Sequence, residues 1–213
     1  MGHRRLSAPS ALLAAALLAL PPRPGVAAPF TADASTGSIV VHAVKAGLLS
    51  GLAHDHRLVA ERWRADVGWD LEGAGAFDLR IVVDASSLRE TATRLGEASR
   101  SLIGREVAGP GVLDAGRFPE IRVRAAGLLA SPPRGEEERE GELRAEVTLH
   151  GETRPVSVPF RLTASGAGFR ARGTVLLRQT DFGMTPFTTA MGTIGVDDEL
   201  RIEFDLLLHP RPP

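Results

Sequence analysis

The chain contains no cysteine among its 213 residues. A protein without cysteine forms no disulfide and carries no lipid on an N-terminal cysteine, so its stability must come from packing. An excess of positive charge is also missing, since 25 basic residues stand against 26 acidic ones. This balance argues against binding to nucleic acid. No apolar segment is long enough to span a membrane as a helix.

Motifs of two common enzyme classes are missing as well. The sequence has no Gly-x-Ser-x-Gly nucleophile elbow, which argues against an α/β-hydrolase. Asp181-Phe182-Gly183 occurs without the glycine-rich loop and the catalytic-loop motif that a protein kinase needs. We expect Asp181 to fix a turn by accepting hydrogen bonds from backbone amides. We therefore predict that the protein is not an enzyme and has no cofactor.

The N-terminal segment has the layout of a secretory signal peptide. A basic start precedes the apolar run 11–20, and small residues follow at 25–28. The run has about half the length of a membrane-spanning helix. We predict cleavage after Ala27, which gives a signal peptide over 1–27 and one domain over 28–213. Cleavage would change the formal net charge from −1 to −4, because three arginines and no acid are removed. The predicted location is the periplasm or the cell exterior.

Most of the remaining chain alternates apolar and polar residues. Period-two alternation places one set of side chains on each face of a β-strand. Two such segments, 63–71 and 77–83, are separated by a glycine-containing turn and predict a hairpin. Further strands are predicted at 38–45, 121–125, 143–149, 156–162, 169–177 and 200–208. Many strands in succession predict an antiparallel sheet curled around an apolar interior. The acidic run 136–140 predicts a solvated loop.

Two segments interrupt the alternation. Leu95, Leu102, Ile103 and Val107 share one helical face, and Gly109-Pro110-Gly111 ends the pattern. We predict a helical crossover that caps one end of the sheet. Pro186 is a favourable first residue of a helix. We therefore predict a short second helix there, with Phe187, Met191 and Ile194 on one side.

Several motifs together resemble the YceI-like family of polyisoprenoid-binding proteins. The strand-turn-strand segment Leu149-His150-Gly151-Glu152-Thr153-Arg154-Pro155-Val156 resembles the family's L-H-G-x-T-R-P-V. Thr180-Asp181-Phe182-Gly183 is similar to its S-D-F-G element, and Phe118-Pro119-Glu120-Ile121 to its F/Y-P-x-I strand start. Val44-Lys45 and the closing 198–202 also fit, so the resemblance covers about residues 30–208.

The resemblance implies an all-β fold, an eight-stranded antiparallel lipocalin-like barrel with a helix between strands. It also implies export and an elongated apolar cavity that holds an isoprenoid or other long-chain lipid. Two departures from the family pattern concern polar residues near the expected opening. The family's Asn-Arg before S-D-F-G reads Arg178-Gln179 here, and 53–57 reads Ala-His-Asp-His-Arg.

In a closed barrel the apolar face of each strand either fills the core or lines a cavity. We expect small inward residues, Ala65, Ala145, Ala171 and Gly173, to leave space. The predicted partner is an isoprenoid or fatty-chain lipid, with no nucleic acid and no membrane span. The predicted cavity-lining residues are Val67, Trp69, Leu79, Ile81, Leu102, Val147, Phe160, Val175 and Phe204.

His54-Asp55-His56 is the sharpest local feature of the chain, and it supports two hypotheses. In one, His54 and His56 bind a polar head group at the cavity mouth, where sparse polar groups fix a ligand. In the other, the barrel is metal-dependent or catalytic. Residues two apart on a strand share a face, so His54 and His56 could bind one metal, with His42 or His150 as third ligand. A third hypothesis, a surface that binds another protein, has no locating feature in the sequence.

Overall fold

The computed structural model describes residues 30–46, 55–71, 76–128, 133–189 and 194–211. One helix, α1, spans Glu97–Ala108, and two short 3-10 turns span Ala85–Ser87 and Thr180–Phe182. No helix among these residues is both long and apolar enough to cross a membrane. The strands are β1 Phe30–Asp33, β2 Gly37–Ala46, β3 His56–Ala60, β4 Trp63–Trp69, β5 Ala76–Asp84, β6 Leu88–Glu90, β7 Glu120–Leu128, β8 Glu138–Leu149, β9 Glu152–Ser165, β10 Gly168–Arg178, β11 Thr188–Thr189 and β12 Ile194–Pro210.

Within the described ranges these strands form a closed barrel. In three places, two consecutive segments form one long strand that is interrupted by an irregularity. These are β1 and β2, β3 and β4, and β5 and β6. With β7, β8, β9, β10 and β12 they make an eight-stranded antiparallel barrel. Strand β1 pairs with both β4 and β12, which closes the ring. The predicted fold class is confirmed, and so is the predicted hairpin, since Trp63 of β4 faces Val83 of β5.

The two ends of the barrel differ in construction. We name them the aromatic end and the α1 end. At the aromatic end the rings of Phe30 and Trp69 lie 5.2 Å and 5.3 Å from the ring of Phe169, and all three are buried. Such aromatic contacts add to the apolar burial that holds a core together. At the α1 end, α1 packs against β6 and the 3-10 turn Ala85–Ser87.

The predicted crossover helix is confirmed as α1. Its residues Leu102, Ile103 and Val107 share the side that faces the cavity, and Gly109 is its C-cap residue, as the sequence pattern indicates. None of the residues of α1, all of which are described, is fully buried. The helix therefore covers the end of the barrel without being embedded in a core.

The hairpin of β8 and β9 explains the most specific sequence motif. Leu149 pairs with Glu152, and the two turn residues, His150 and Gly151, have φ values of 52° and 82°. Two positive φ values in a two-residue loop are the geometry that matches the right-handed twist of a hairpin. The ring of Phe118 lies 4.9 Å from that of His150 and covers Gly151. His150 is therefore a turn residue.

Three local predictions are wrong. Instead of a helix beginning at Pro186, Thr188–Thr189 forms β11 and pairs with β12, because residues next to a free strand edge gain ladder hydrogen bonds there. Met191 lies outside the described residues. Part of the acidic run 136–140 is strand, since Glu140 pairs with Arg161 of β9. The turn before Gly183 is fixed by Asp198, whose carboxylate accepts hydrogen bonds from the amide and hydroxyl of Thr180 at 2.9 and 2.8 Å, and not by Asp181.

Candidate functional site

The barrel encloses an apolar cavity of about 450 Å³. This volume is in the range of sites that hold small organic ligands, about 300–1,000 Å³. Among the described residues that line it, all but three are apolar; the exceptions are His56, Glu106 and Gln179. The structure places every residue of the predicted set in this lining: Val67, Trp69, Leu79, Ile81, Leu102, Val147, Phe160, Val175 and Phe204. That these residues contact a ligand stays a prediction.

Strand alternation positions this lining. On β5, Leu79 and Ile81 point into the cavity, while Arg80 between them points outward and lies 3.3 Å from the carboxylate of Asp78. Because successive side chains of a strand point to opposite faces, each strand contributes every second residue to the cavity. The polar residues of the other set meet solvent on the outside of the barrel.

Two of the four small residues create the space in the cavity. Ala145 and Ala171 belong to the lining, as expected. Ala65 is fully buried in the core and does not reach the cavity. Gly173 is covered by the ring of Phe204, which lies 2.5 Å from where a Cβ on Gly173 would stand. The expectation that Ala65 and Gly173 leave space is therefore wrong, because neighbouring side chains fill these positions.

The cavity opens at the α1 end. Leu102 and Phe187 both line the cavity, yet they are 51% and 54% exposed. The aromatic end, in contrast, is filled by the buried rings of Phe30, Trp69 and Phe169. We call the opening beside Leu102 and Phe187 the mouth. The three polar lining residues all belong to elements at this end: the start of β3, α1, and the segment that follows β10.

His56 is anchored at the mouth by a buried carboxylate. Its Nδ1 lies 2.8 Å from Oε2 of Glu90, a side chain that is 0% exposed. Burial by itself would raise the pKa of Glu90, but hydrogen bonds from the Ala92 amide, His56 and the Arg57 amide outweigh it and hold this pKa below its ordinary value. The carboxylate therefore stays ionised and fixes the ring of His56. His54 lies outside the described residues.

Gln179 also lies at the mouth, just after β10. Its side chain is fixed by a hydrogen bond of 2.7 Å from Nε2 to the carbonyl oxygen of Asp197. Its backbone N–H donates to the carbonyl oxygen of Asp198. The residue is only 5% exposed, although it lines the cavity. Gln179 is therefore a rigid polar group in an otherwise apolar wall.

The structure does not bring His42 and His56 to one metal site. Ala43 pairs with His56 across β2 and β3, and both line the cavity. His42 therefore points to the outside of the barrel, where its Nε2 lies 3.1 Å from Glu203. His150 is held in the β8–β9 turn. Among the described residues, no group of three or more His, Cys, Asp or Glu side chains comes together in a way that could hold a metal ion.

Comparison with known proteins agrees with this architecture. The family profile of the YceI-like domain matches residues 30–208. The chain belongs to the YceI-like family. The match spans the whole barrel from β1 to near the end of β12, and the resemblance seen in the sequence motifs is confirmed. No match was found among curated proteins.

Solved structures share the YceI-like fold. A polyisoprenoid-binding domain from Saccharophagus degradans, implicated in plant cell wall breakdown, has a TM-score of 0.64 at 12% identity, covering 86% of this chain and 99% of that one. BcnA of Burkholderia cenocepacia has a TM-score of 0.60 at 17% identity, covering 83% and 98%. The YceI protein of Campylobacter jejuni has a TM-score of 0.51 at 11% identity, covering 72% and 83%. At such identities the likeness shows the fold.

Sequence reasoning missed Glu90 and Glu106 at the mouth of this YceI-like barrel. Glu90 ends a strand of only three residues, too short for an alternation pattern. Glu106 belongs to a helix in which polar and apolar residues are mixed on the cavity-facing side. The sequence did draw attention to Gln179, because this residue occupies one of the positions that depart from the family pattern. Its contact with the cavity follows only from the fold.

Proposed function

We propose that the protein binds one long-chain lipid, of the isoprenoid or fatty type, inside the barrel. The observation that carries this proposal is a cavity with an almost wholly apolar wall, filled at the aromatic end and open at the α1 end. An acyclic chain fits such a shape end-on. Each buried methylene contributes about 0.8 kcal/mol. Ten of them would therefore contribute about 8 kcal/mol before the cost of ordering the chain is subtracted.

We further propose export, with residues 1–27 as a signal peptide. The polyisoprenoid named for the Saccharophagus degradans domain makes an isoprenoid the first candidate ligand. N-terminal sequencing of protein recovered from the periplasm or the medium is expected to begin at Ala28. A chain that keeps residues 1–27 would contradict export by this route.

Solvent extraction followed by mass spectrometry tests the binding proposal. Protein purified from its native compartment is expected to release one lipid class in stoichiometric amount. In the variant Ala171→Phe a ring would occupy part of the cavity, because Ala171 lines it, and the recovered lipid is expected to fall at least severalfold. Leu176→Phe is the matched control, since Leu176 lies on the same strand, is 56% exposed and is not among the lining residues.

Two outcomes would contradict the proposal. One is the absence of lipid from the unchanged protein, combined with no uptake of added farnesol. The other is equal lipid content in Ala171→Phe and Leu176→Phe, which would place the bound lipid outside the cavity. Thermal unfolding of both variants shows whether each is folded.

A further inference from the structure

The polar side chains of the described cavity lining are one histidine, one glutamate and one glutamine. None of the described residues that line the cavity is lysine or arginine. Phosphate and carboxylate head groups are usually bound by arginine, lysine or the N-terminus of a helix. Helix α1 begins with Glu97, an acidic residue, which does not favour an anion at that helix end. His56 is therefore the one basic side chain in the described cavity lining, and its Nδ1 is already held by the carboxylate of Glu90.

Carboxylates lie close to the mouth. Glu106 on α1 is part of the cavity lining. Glu90 lies directly behind His56 and is fully buried, with three hydrogen-bond donors around it. A carboxylate at the edge of the cavity disfavours a second negative charge close to it, because like charges repel.

Gln179 offers a hydrogen-bond acceptor at the same place. The carbonyl oxygen of Asp197 can only accept, so the amide NH₂ of Gln179 must be the group that faces it. The other polar atom of the side-chain amide is therefore Oε1, which can only accept hydrogen bonds. Gln179 lines the cavity and is 5% exposed. No described residue donates a hydrogen bond to this oxygen. A ligand that donates a hydrogen bond to this oxygen gains a contact that a hydrocarbon cannot make.

We propose that the polar end of the bound lipid lies at the mouth and is an uncharged hydrogen-bond donor, as in a long-chain alcohol, and not a phosphate or a carboxylate. This inference rests on the proposed lipid binding and deepens it. The hydroxyl donates to Oε1 of Gln179, while Glu106 disfavours an anionic head group.

A matched set of probes tests this inference on the full, delipidated protein. Farnesol, farnesyl phosphate and the hydrocarbon farnesene share one chain and differ in the polar end. Affinities are measured by displacement of a fluorescent fatty-chain probe. We expect farnesol to bind at least tenfold more tightly than farnesyl phosphate. We also expect it to bind roughly fivefold more tightly than farnesene, the effect of one net hydrogen bond.

Two variants assign the effect to residues. Gln179→Leu is expected to abolish the preference for farnesol over farnesene and to leave farnesene binding nearly unchanged. Glu106→Gln is expected to strengthen farnesyl phosphate binding severalfold and to change farnesol binding little. Glu97→Gln is the control, because it removes the same charge from α1 at a residue outside the cavity lining. Because Glu106 is exposed, we expect Glu106→Gln to fold normally. This variant therefore still tests the inference if Gln179→Leu does not fold.

The outcomes separate this inference from the function on which it rests. If none of the three probes displaces the fluorescent lipid, the proposed lipid binding itself fails. If all three bind equally, or farnesyl phosphate binds most tightly, lipid binding stands and the assignment of an uncharged donor is overturned. A Glu97→Gln effect as large as that of Glu106→Gln would overturn the role given to Glu106.

Discussion

The same strands form two barrel ends that differ in packing and in exposure to solvent. At the aromatic end, Phe30, Trp69 and Phe169 pack against one another and exclude solvent. At the α1 end, Leu102 and Phe187 are half exposed, and the polar residues His56, Glu106 and Gln179 stand beside them. One end holds the fold together, and the other leaves an opening. We therefore expect changes at the aromatic end to lower stability more than binding. Changes at the α1 end should lower binding more than stability.

The largest expected difference is between two phenylalanines. Phe169→Ala at the aromatic end is expected to lower the free energy of unfolding by about 3–5 kcal/mol, because it leaves a cavity between buried rings. Phe187→Ala at the mouth is expected to cost less than about 1 kcal/mol, because the ring is 54% exposed. Urea unfolding measures both. Equal losses of stability would contradict the division of the barrel into a packed end and an open end.

The second test concerns a fully buried carboxylate at the α1 end, that of Glu90. Glu90→Ala leaves His56 and two backbone amides without their acceptor, and a loss of about 3 kcal/mol is expected. Glu203→Ala removes the partner of His42 on the outer surface and is expected to cost less than about 1 kcal/mol. If calorimetry finds the two variants alike, Glu90 is not the anchor of the mouth.

A third test compares one turn from each end. Gly151 at the α1 end has φ of 82°, and a Cβ there would lie 2.6 Å from the Phe118 ring. Gly166 at the aromatic end has φ of 59° and open space around it. In both alanine variants the left-handed backbone is expected to lower the free energy of unfolding by about 1–2 kcal/mol. Only Gly151→Ala adds a steric clash, which lowers it further. A larger loss for Gly166→Ala would contradict this account of the turn.

The smallest expected effect is a dependence on pH. The pKa of Glu90 in the folded protein lies below its ordinary value, so its ionised form stabilises the fold above the unfolded pKa of about 4.3. This contribution is lost as pH falls through the folded pKa. The stability difference between the unchanged protein and Glu90→Gln should be complete at neutral pH and shrink below about pH 4. Glu142→Gln, an exposed control on β8, should show no such change. A difference that stays constant during acidification would refute this role.

Much of the fold could be predicted because it depends on local patterns. The alternation along β4 and β5 predicted their hairpin, and the spacing of Leu102, Ile103 and Val107 predicted α1. The errors have a common cause. Glu140 looked like part of a loop until its pairing with Arg161 across β9 made it a strand residue. The segment after Pro186 looked helical until the edge of β12 offered it a partner.

The candidate site was predicted in part, for the same reason. Inward-facing residues such as Val67 and Leu79 follow from alternation alone. The expected space at Gly173 is absent, because the ring of Phe204 covers it. Whether a small residue leaves a void depends on what its neighbours do, and those neighbours come from other strands.

The sequence by itself determined the sheet, its apolar inner face, the crossover helix and the Leu149 to Val156 turn, because each depends on residues close together along the chain. Only the tertiary structure decided which end of the barrel opens. It also decided that His42 and His56 face opposite sides of the wall, that Glu90 lies behind His56, and that Gln179 meets the cavity. These features depend on strand register and on contacts between distant segments, and closure of the barrel fixes both.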